Sequence, residues 1–249
     1  VPPDGYCRSG QLWGHPHYRW VAHRKERFAW WIDRFRLAID RFDAIRVDHF
    51  IGFIRLYEVS AGARTARHGT WRRTPGRELL ETLQRELGSL PLIAEDLGET
   101  TPAVRRLRDD FDLPGMRIVQ WAFVGDDSPD LPRNHPARSV CYPGTHDNDT
   151  TRGWFRTLPS DAKARFTAIT GCRRASDAAR SMIRLCMGSP AECCVIPMQD
   201  VLNLGSAARM NRPGTPRGNW TWRMDSYAPA ALARPMRTTS DRRSFMLPR

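Results

Sequence analysis

Three carboxylates each follow a short apolar run and lie in a short polar motif. Asp48 lies in Arg-Val-Asp-His-Phe, Glu95 in Ile-Ala-Glu-Asp-Leu-Gly, and Asp147 in Gly-Thr-His-Asp-Asn-Asp. They are separated by about fifty residues, which suits one or two strand–helix units each. Because successive strands of a parallel barrel deliver their carboxyl ends to one rim, we expect the three acids to converge there. Such acids around one pocket suit the cleavage of glycosidic bonds.

Each motif alone also fits a structural role. Asp48 suits a nucleophile that Arg46, on the same side of the strand, keeps ionised, or equally a cap at a strand end. Glu95 leaves an apolar strand and suits a general acid of raised pKa, or an acid that opens a helix. His146 and Asp147 suit the binding of sugar hydroxyls, or an Asx-rich turn.

The polar cluster at 146–149 also raises the question of a metal site. Ligands of this kind tend to recur as His-x-His or His-x-x-x-His, with further ligands nearby. His15-Pro-His17 has that spacing, but it lies in a loop with Pro and Gly and has no acidic neighbour. We therefore expect neither a metal nor another cofactor.

The chain is strongly basic, with a net charge of +12 and a pI of 10.3. All of its basic residues except Lys25 and Lys163 are arginines, which are scattered in runs of two at most. A nucleic-acid surface clusters its charge on one face or arm, so we do not expect a nucleic-acid partner. The chain also lacks the apolar run of about eighteen residues that a membrane span needs, so we expect no membrane partner.

The six cysteines form no Cys-x-x-Cys pair, and Cys193-Cys194 lies in an apolar run. Buried free thiols in a reducing compartment are the favoured interpretation, with a disulfide framework or a zinc site as alternatives. The first residues have neither the basic nor the apolar region of a signal peptide. These features predict a cytoplasmic protein.

Strands and helices are predicted to alternate along the chain. Apolar residues recur with a helical period from residue 28 to 42, and Thr101-Pro102 has the form of a helix start. Helices are predicted at 28–42, 77–88 with Gly88 as the C-cap, 102–110, 160–169 and 174–187. Strands are predicted at 44–48, 91–95, 116–123, 139–142 and 193–197. The alternation indicates a parallel α/β sheet, open or closed.

Nine tryptophans are many for 249 residues. Their flat faces can stack on the C–H faces of sugar rings, so tryptophans in loops beside a carboxylate rim suit a glycan groove. Several lie outside the obvious helices, namely Trp13, Trp20, Trp71, Trp154, Trp220 and Trp222. Trp30 and Trp31 lie in the first predicted helix, where core packing is expected.

Together these motifs resemble the 4-α-glucanotransferases of the amylomaltase type (glycoside hydrolase family 77). The resemblance is collinear over residues 1–223 and rests on many short strings in one order. Besides the three acidic motifs, these strings include Gly-Gln-Leu-Trp-Gly at 10–14, Leu-Pro-Gly-Met at 113–116, Pro-Met-Gln-Asp at 197–200, Arg-Met-Asn-Arg-Pro-Gly-Thr at 209–215 and Gly-Asn-Trp-Thr-Trp-Arg at 218–223.

The resemblance implies an α/β fold, a (β/α)8 TIM barrel that is incomplete here, with about strands 4–8 present. Residues 1–225 would be the C-terminal portion of the catalytic barrel, and 226–249 a C-terminal segment, frayed near its end. It also implies that Asp48 is the nucleophile, Glu95 the general acid/base and Asp147 the acid that stabilises the transition state. No metal is implied.

The same resemblance suggests which residues bind the substrate. Arg46, His49 and His146 match positions that brace the nucleophile and bind the sugar. Further candidates are Gln199, Asp200, Asn211 and Asn219 on the remainder of the rim, together with Trp13, Asp96 and Asn148 from the shared strings.

The implied reaction is a retaining double displacement on α-1,4-glucans, namely maltooligosaccharides, starch or glycogen. A glucan segment would pass to an acceptor glucan or glucose rather than to water. Two alternatives stay open: an α-glucan hydrolase with the same carboxylates, and an inactive or merely glycan-binding remnant.

The chain departs from the family pattern in two ways. His15 and Ile51 stand where the family usually has Asn and Arg, so some substrate contacts are expected to differ. Only 47 residues precede Asp48, whereas three strand–helix units before the nucleophile strand would need about 30 residues each. We therefore expect part of a longer enzyme, with little activity alone.

Overall fold

The computed structural model describes residues 1–4, 7–98 and 100–224. The chain divides into two compact units, the first ending at Gly115 and the second beginning at Met116. Residue 225 and the predicted C-terminal segment 226–249 lie outside the described residues. Among the helices that are described, none has the length and apolar character needed to cross a membrane.

The first unit is an α/β arrangement with a parallel strand pair at its centre. Its helices are α1 (Trp20–Lys25), α2 (Ala29–Ile39), α3 (Gly76–Leu87) and α4 (Pro102–Asp110), and its strands are β1 (Ile45–Val47), β2 (Arg55–Glu58), β3 (Thr70–Arg73) and β4 (Leu92–Ala94). Strands β1 and β4 are parallel, with Val47 opposite Ala94. Strands β2 and β3 form a separate antiparallel pair. β5 (Gly115–Ile118) begins at the last residue of this unit, where Gly115 pairs with Ala94.

Helix α2 is shorter than the predicted helix 28–42. Phe28 has a left-handed backbone with φ of 58° immediately before the helix, so the helical conformation begins at Ala29. Trp31 is 7% exposed and lies in the core, as predicted, whereas the same prediction is wrong for Trp30, which is 43% exposed. Adjacent helical positions point about 100° apart, so two neighbouring tryptophans cannot both face the core squarely.

The core of the first unit forms where α3 and α4 pack with the β1–β4 strand region. Leu79 and Leu83 of α3, Leu92 of β4 and Leu107 of α4 belong to one buried cluster. At the start of α3, a Cβ on Gly76 would lie 2.0 Å from the carbonyl oxygen of Phe53. Only glycine therefore lets the helix approach this backbone so closely.

The predicted ends of α3 and α4 are confirmed. Helix α3 ends at a C-cap Gly88, where φ is 77°. Thr101 caps α4, since its hydroxyl oxygen accepts a hydrogen bond from the Val104 N–H, and Pro102 occupies the first turn. Both are local signals: glycine has no Cβ to clash in the left-handed region, and threonine satisfies an otherwise unpaired N–H.

The second unit also contains a parallel strand pair with helices around it. Its strands are β6 (Ser139–Tyr142) and β7 (Cys193–Cys194), and its helices are α5 (Thr151–Thr157), α6 (Ser160–Thr170), α7 (Ala175–Met187) and α8 (Met198–Val201). Cys141 lies opposite Cys194 in the parallel pair. The core of this unit includes Phe123, Phe166 and Met182.

Two predicted strands end early. The apolar run 116–123 is extended only to Ile118 and then forms a 3-10 helix over 119–124, so the second half of that prediction is wrong. The main-chain N–H of Gln120 instead bonds the carbonyl of Pro143 at 3.0 Å. The predicted strand 193–197 stops at Cys194, and Pro197, which has no N–H to pair in a sheet, is the N-cap of α8.

The predicted set of loop tryptophans is only partly right. Trp13 and Trp220 are exposed and lie outside helices and strands. Trp20 lies in α1 and Trp154 in α5, so the prediction is wrong for these two. Trp71 lies in β3 and Trp222 in neither a helix nor a strand, so both are outside helices, as predicted. Sequence periodicity failed for Trp20 and Trp154 because their helices have only six and seven residues.

Candidate functional site

Asp48 and Glu95 follow the carboxyl ends of two adjacent parallel strands. Val47 and Ala94 are opposite each other in the β1–β4 pair, so the two acids occupy equivalent positions one residue further on. The Glu95 N–H bonds the carbonyl of Val47 at 3.0 Å, and the Glu95 carbonyl accepts from the Phe50 N–H at 3.1 Å. The first unit therefore brings these two predicted site residues together.

The carboxyl group of Glu95 is held by the backbone of the following loop. The main-chain N–H of His49 donates to its Oε2 at 2.7 Å. His49 has φ of 49°, a left-handed conformation that is uncommon for a residue with a side chain. Burial and, next, the nearby carboxylate of Asp48 raise the pKa of Glu95 from 4.5 to about 7. A carboxyl of that pKa can both donate and accept a proton near neutral pH.

Asp48 is an exposed carboxylate beside a guanidinium. Its side chain is 74% exposed, and Nη1 of Arg46 donates to its Oδ1 at 2.7 Å. Arg46 lies in β1, whereas Asp48 directly follows the strand rather than lying in it as predicted; their side chains nevertheless meet. An exposed ion pair adds little to folding stability, so its main effect is to orient the carboxylate and offset its charge. An exposed carboxylate thus lies near the Glu95 carboxyl group, which is half protonated near pH 7.

An aromatic surface adjoins the two acids. The indole of Trp13 meets the imidazole of His49 edge-on, with ring centroids 5.0 Å apart. Burial lowers the pKa of His49, which favours a neutral imidazole. Trp13 is exposed. Ile51, one of the two residues at which the chain departs from the family pattern, packs against the core of the first unit. His15, the other departure, lies 6.1 Å from Trp13, centroid to centroid.

Asp96 faces inward rather than toward solvent. Nη1 of Arg108 reaches its Oδ2 at 2.5 Å, and the two side chains are 3% and 13% exposed. A Cβ at position 115 would lie 2.6 Å from the same oxygen, so this carboxylate also requires Gly115. The placement gives Asp96 a role in holding the end of β4 and the start of β5.

In the second unit, Asp147 lies in a polar cluster with an aromatic neighbour. Nδ2 of Asn211 donates to its Oδ1 at 2.5 Å, and Nη2 of Arg209 donates to its main-chain carbonyl at 2.5 Å. Nε2 of His146 is 3.5 Å from the other carboxylate oxygen, and the His146 ring lies 5.2 Å from the ring of Trp220. Three predicted site residues therefore come together here: His146, Asp147 and Asn211.

Two further predicted site residues shape loops of the second unit. Oδ1 of Asn148 accepts from the N–H and hydroxyl of Thr145 at 2.8 and 3.0 Å. The hydroxyl oxygen of Thr145 in turn accepts from the Asp147 N–H at 3.3 Å, two residues further on, which is an ST-type turn rather than the alternative Asx-rich turn. Oδ1 of Asn219 accepts from the N–H of Arg212 at 2.9 Å. Both amide oxygens thus bind backbone groups and fix the polar loops around Asp147.

The last two predicted site residues are buried. Nε2 of Gln199 donates to the carbonyl of Ala208 at 3.3 Å. Asp200 accepts from the N–H of Thr151 at 2.7 Å and from its hydroxyl at 2.6 Å. Burial raises the pKa of Asp200. These contacts anchor the beginning of α5 and the segment after α8 inside the unit.

Several residues that hold the site were missed at the level of sequence. Arg108 and Arg209 were not distinguished from the other arginines of this Arg-rich chain. Nε2 of Gln120 bonds the carbonyl of Asp149 at 2.9 Å, and the Asp149 carboxylate accepts from the Ser206 hydroxyl at 2.6 Å. These partners lie 29 and 57 residues apart in sequence, beyond the reach of local patterns.

Strand, helix and site together define a class of protein. Each unit pairs parallel strands with surrounding helices, and polar side chains follow the carboxyl ends of the strands. This is the organisation of α/β proteins that bind ligands at the carboxyl ends of their strands, barrels among them.

Comparison with known proteins gives the family. Residues 1–228 match the glycoside hydrolase family 77 model, described as 4-alpha-glucanotransferase, so the chain belongs to that family. It is 47% identical over 232 residues to 4-alpha-glucanotransferase of Thermus thermophilus, a match covering 90% of this chain and 46% of that protein. It is 44% identical over 227 residues to the chloroplastic/amyloplastic enzyme of Arabidopsis thaliana, covering 91% and 39%.

Solved structures agree with the family assignment. The amylomaltase of Streptococcus agalactiae in complex with acarbose superposes with a TM-score of 0.91 at 34% identity, covering 97% of this chain and 49% of that one. The amylomaltase of Corynebacterium glutamicum, at 23% identity and a TM-score of 0.69, shares the fold. The chain thus spans about half, or less, of the length of these relatives, consistent with the predicted incomplete barrel.

Proposed function

We propose that this chain carries the catalytic carboxylates of a 4-alpha-glucanotransferase that acts on α-1,4-glucans. The observation that supports this most directly is the pair of acids after β1 and β4, in which burial and Asp48 raise the pKa of Glu95 to about 7. A retaining glycosyl transfer needs one carboxyl that is protonated and one carboxylate that is ionised. The family membership gives the reaction its substrate class.

In the first proposed step, the carboxyl of Glu95 protonates the glycosidic oxygen while an Asp48 oxygen attacks the anomeric carbon. The bond from C1 to the glycosidic oxygen breaks, and a bond from C1 to Asp48 forms. The released glucan leaves with the proton of Glu95, and a covalent glucosyl–enzyme ester is formed. Arg46 holds the attacking carboxylate in place.

In the second proposed step, the ionised Glu95 takes the proton of the 4-hydroxyl of an acceptor glucan. That oxygen attacks C1, the ester to Asp48 breaks, and a new α-1,4 bond is formed. We assign to Asp147 the stabilisation of positive charge on the sugar and contacts with its hydroxyls, with Asn211 fixing the carboxylate.

Aromatic side chains support an assignment to sugar substrates. Trp13 beside His49 and Trp220 beside His146 each pair an exposed indole with an imidazole. Indole faces stack on sugar rings and exclude water, which favours transfer over hydrolysis. A relative was solved in complex with acarbose. We therefore propose that acarbose, maltooligosaccharides, starch and glycogen all bind this chain at the surfaces around Trp13 and Trp220.

The experiment is an incubation of the purified chain with maltotriose and a labelled glucan acceptor. We expect slow formation of glucose and longer maltodextrins, well below the rate of the longer relatives, with all transfer lost in Asp48→Asn. Asp33→Asn, which alters an exposed ion pair on α2, is the matched control and should retain the rate.

Other product patterns would overturn this proposal. Glucose and maltose without longer products would assign a hydrolase. No product at all, with acarbose still bound by tryptophan fluorescence, would assign a glycan-binding remnant. Products that persist in Asp48→Asn would remove the nucleophile from this position.

We further propose a cytoplasmic location. The cysteines of the described residues are free thiols, the state expected in a reducing compartment. Fractionation of the source cells with an antibody to this chain tests the proposal: signal in the soluble cytoplasmic fraction supports it, and signal in a secreted or organellar fraction overturns it.

A further inference from the structure

The second unit contains a cluster of three cysteines that plays no part in the glucan chemistry. Cys141 is on β6, Cys186 on α7 and Cys194 on β7, and their sulfur atoms all lie within 4.8 Å of one another. Cys141 and Cys194 are register partners on adjacent parallel strands, so their side chains share a face of the pair. Three separate elements thus deliver a thiol to one point.

The spacing of these sulfur atoms fits metal coordination. A metal–sulfur bond of about 2.3 Å in a tetrahedral site places the sulfur atoms about 3.8 Å apart. Closing the cluster around an ion would therefore need a movement of about 1 Å or less, which rotation about χ1 of the three side chains can supply.

The surroundings favour a soft ion bound by sulfur alone. Cys141 and Cys186 are 0% and 1% exposed within the hydrophobic core, and Cys194 is partly exposed beside the exposed Cys193. Cys194 thus gives an ion a route from solvent, while the other two thiols hold it in an apolar setting. Soft thiolate ligands of this kind select Cu(I) and Zn(II) over hard cations.

His135 does not complete a tetrahedral set. Its Nδ1 is 2.7 Å from the hydroxyl of Ser189, and its Nε2 is 2.9 Å from the carbonyl of Asp130, so both ring nitrogens already have partners. Among the residues that the structure describes, the group of potential ligands here consists of the three cysteines. A structural zinc site needs four ligands, whereas Cu(I) accepts three.

We propose that Cys141, Cys186 and Cys194 form a three-thiolate binding site for Cu(I). Binding forms three sulfur–copper bonds and releases the thiol protons to solvent, with no change in oxidation state.

The test is a titration of the reduced, full 249-residue chain with Cu(I) under anaerobic conditions against a competing chromophoric chelator. We expect one strongly bound Cu(I) per chain, and X-ray absorption that reports three sulfur neighbours. Because changes in the groups around a metal ligand already cost tenfold to a hundredfold in affinity, Cys194→Ser should lower the affinity by about a hundredfold or more.

Two matched variants make the test specific. Cys193→Ser removes the exposed neighbour of Cys194, and Cys172→Ser removes a buried thiol that is not in the cluster. Both should keep the strong site, with thermal unfolding confirming that all three variants are folded. Equal loss in Cys193→Ser, an unchanged affinity in Cys194→Ser, or fewer than three sulfur neighbours would each overturn the proposal.

Discussion

The main-chain N–H of His49 donates a 2.7 Å hydrogen bond to Oε2 of Glu95, so the loop after β1 holds the carboxyl group that follows β4. The bond itself favours the ionised form, yet burial and Asp48 raise the pKa of Glu95 to about 7. Desolvation therefore outweighs the hydrogen bond. The result is a carboxyl group fixed in position by the backbone and poised to exchange its proton near neutral pH.

This pKa predicts a pH dependence of stability. The folded chain retains the Glu95 proton up to about pH 7, whereas the unfolded chain loses it near 4.5. Because the folded state then binds more protons, the free energy of unfolding should fall as pH rises from about 4.5 to about 7, by on the order of 3 kcal/mol from this group. Urea unfolding at each pH measures it.

Glu95→Gln isolates that contribution, since an amide keeps the acceptor for the His49 N–H but does not titrate. The decline between pH 4.5 and 7 should be smaller in this variant than in the parent. Glu81→Gln, on the exposed face of α3, should reproduce the parent's slope. Identical slopes in all three proteins would contradict a raised pKa at Glu95.

The buried ion pair of the first unit predicts a large loss of stability. Arg108→Met leaves the carboxylate of Asp96, whose side chain is 3% exposed, without its main cationic partner. Such a change costs about 3–5 kcal/mol. Arg77→Met breaks a half-exposed pair with Asp110 and should cost about 1 kcal/mol or less. Similar small losses in both variants, measured by chemical unfolding, would refute the structural role assigned to Asp96.

Asp200 offers a second stability test, in the other unit. Asp200→Asn keeps the shape but replaces one of the two oxygens that accept from Thr151 with a donor. An unsatisfied buried group costs about 1–3 kcal/mol, and the beginning of α5 should loosen. Asp177→Asn, an exposed pair with Arg174, is the control and should change the unfolding midpoint little. Hydrogen exchange of the α5 amides distinguishes local loosening from no effect.

Asn211 is predicted to act by positioning Asp147. Asn211→Ala removes a 2.5 Å hydrogen bond to the carboxylate, and hydrogen bonds to charged groups are worth about 1.5–3 kcal/mol. If Asp147 stabilises the transition state, kcat for glucan transfer should fall about tenfold to a hundredfold while KM changes little. Asn134→Ala, which instead removes a 2.9 Å hydrogen bond to the carbonyl of Ser128, should leave kcat unchanged. A rise in KM with kcat unchanged would instead place Asn211 in ground-state binding.

Local signals explain why parts of this fold could be read from sequence. The Thr101-Pro102 start of α4, Gly88 at the end of α3, and the strand ends before Asp48 and Glu95 each depend on a few adjacent residues. The antiparallel β2–β3 pair was missed, because its strands are rich in charge and show no regular alternation. The strand prediction for 116–123 failed in its second half because apolar residues alone do not distinguish a buried strand from a buried 3-10 turn.

The candidate site residues also differ in how far the sequence predicts them. The residue types at Asp48, Glu95 and Asp147 could be read from their motifs, and the parallel strand pair does bring the first two together. The inward orientation of Asp96 and Asp200 could not be predicted from the sequence, because the packing of distant segments sets their partners. Thr151 and Asp200, for example, are 49 residues apart. A carboxylate at a strand end therefore indicates a site. Where two acids are adjacent, as at Glu95 and Asp96, tertiary contacts decide which of them points toward that site and which points into the core.

The most direct test of the proposed chemistry is the pKa of Glu95, measured from the 13C shift of its side-chain carboxyl in the intact chain and in Asp48→Asn. A pKa of about 7 is expected in the parent. Removing the neighbouring charge should lower it, though burial, the larger cause, should keep it above 4.5. A pKa near 4.5 in the parent, or one that is the same in Asp48→Asn, would contradict the assignment of these two residues as an acid/base and nucleophile pair.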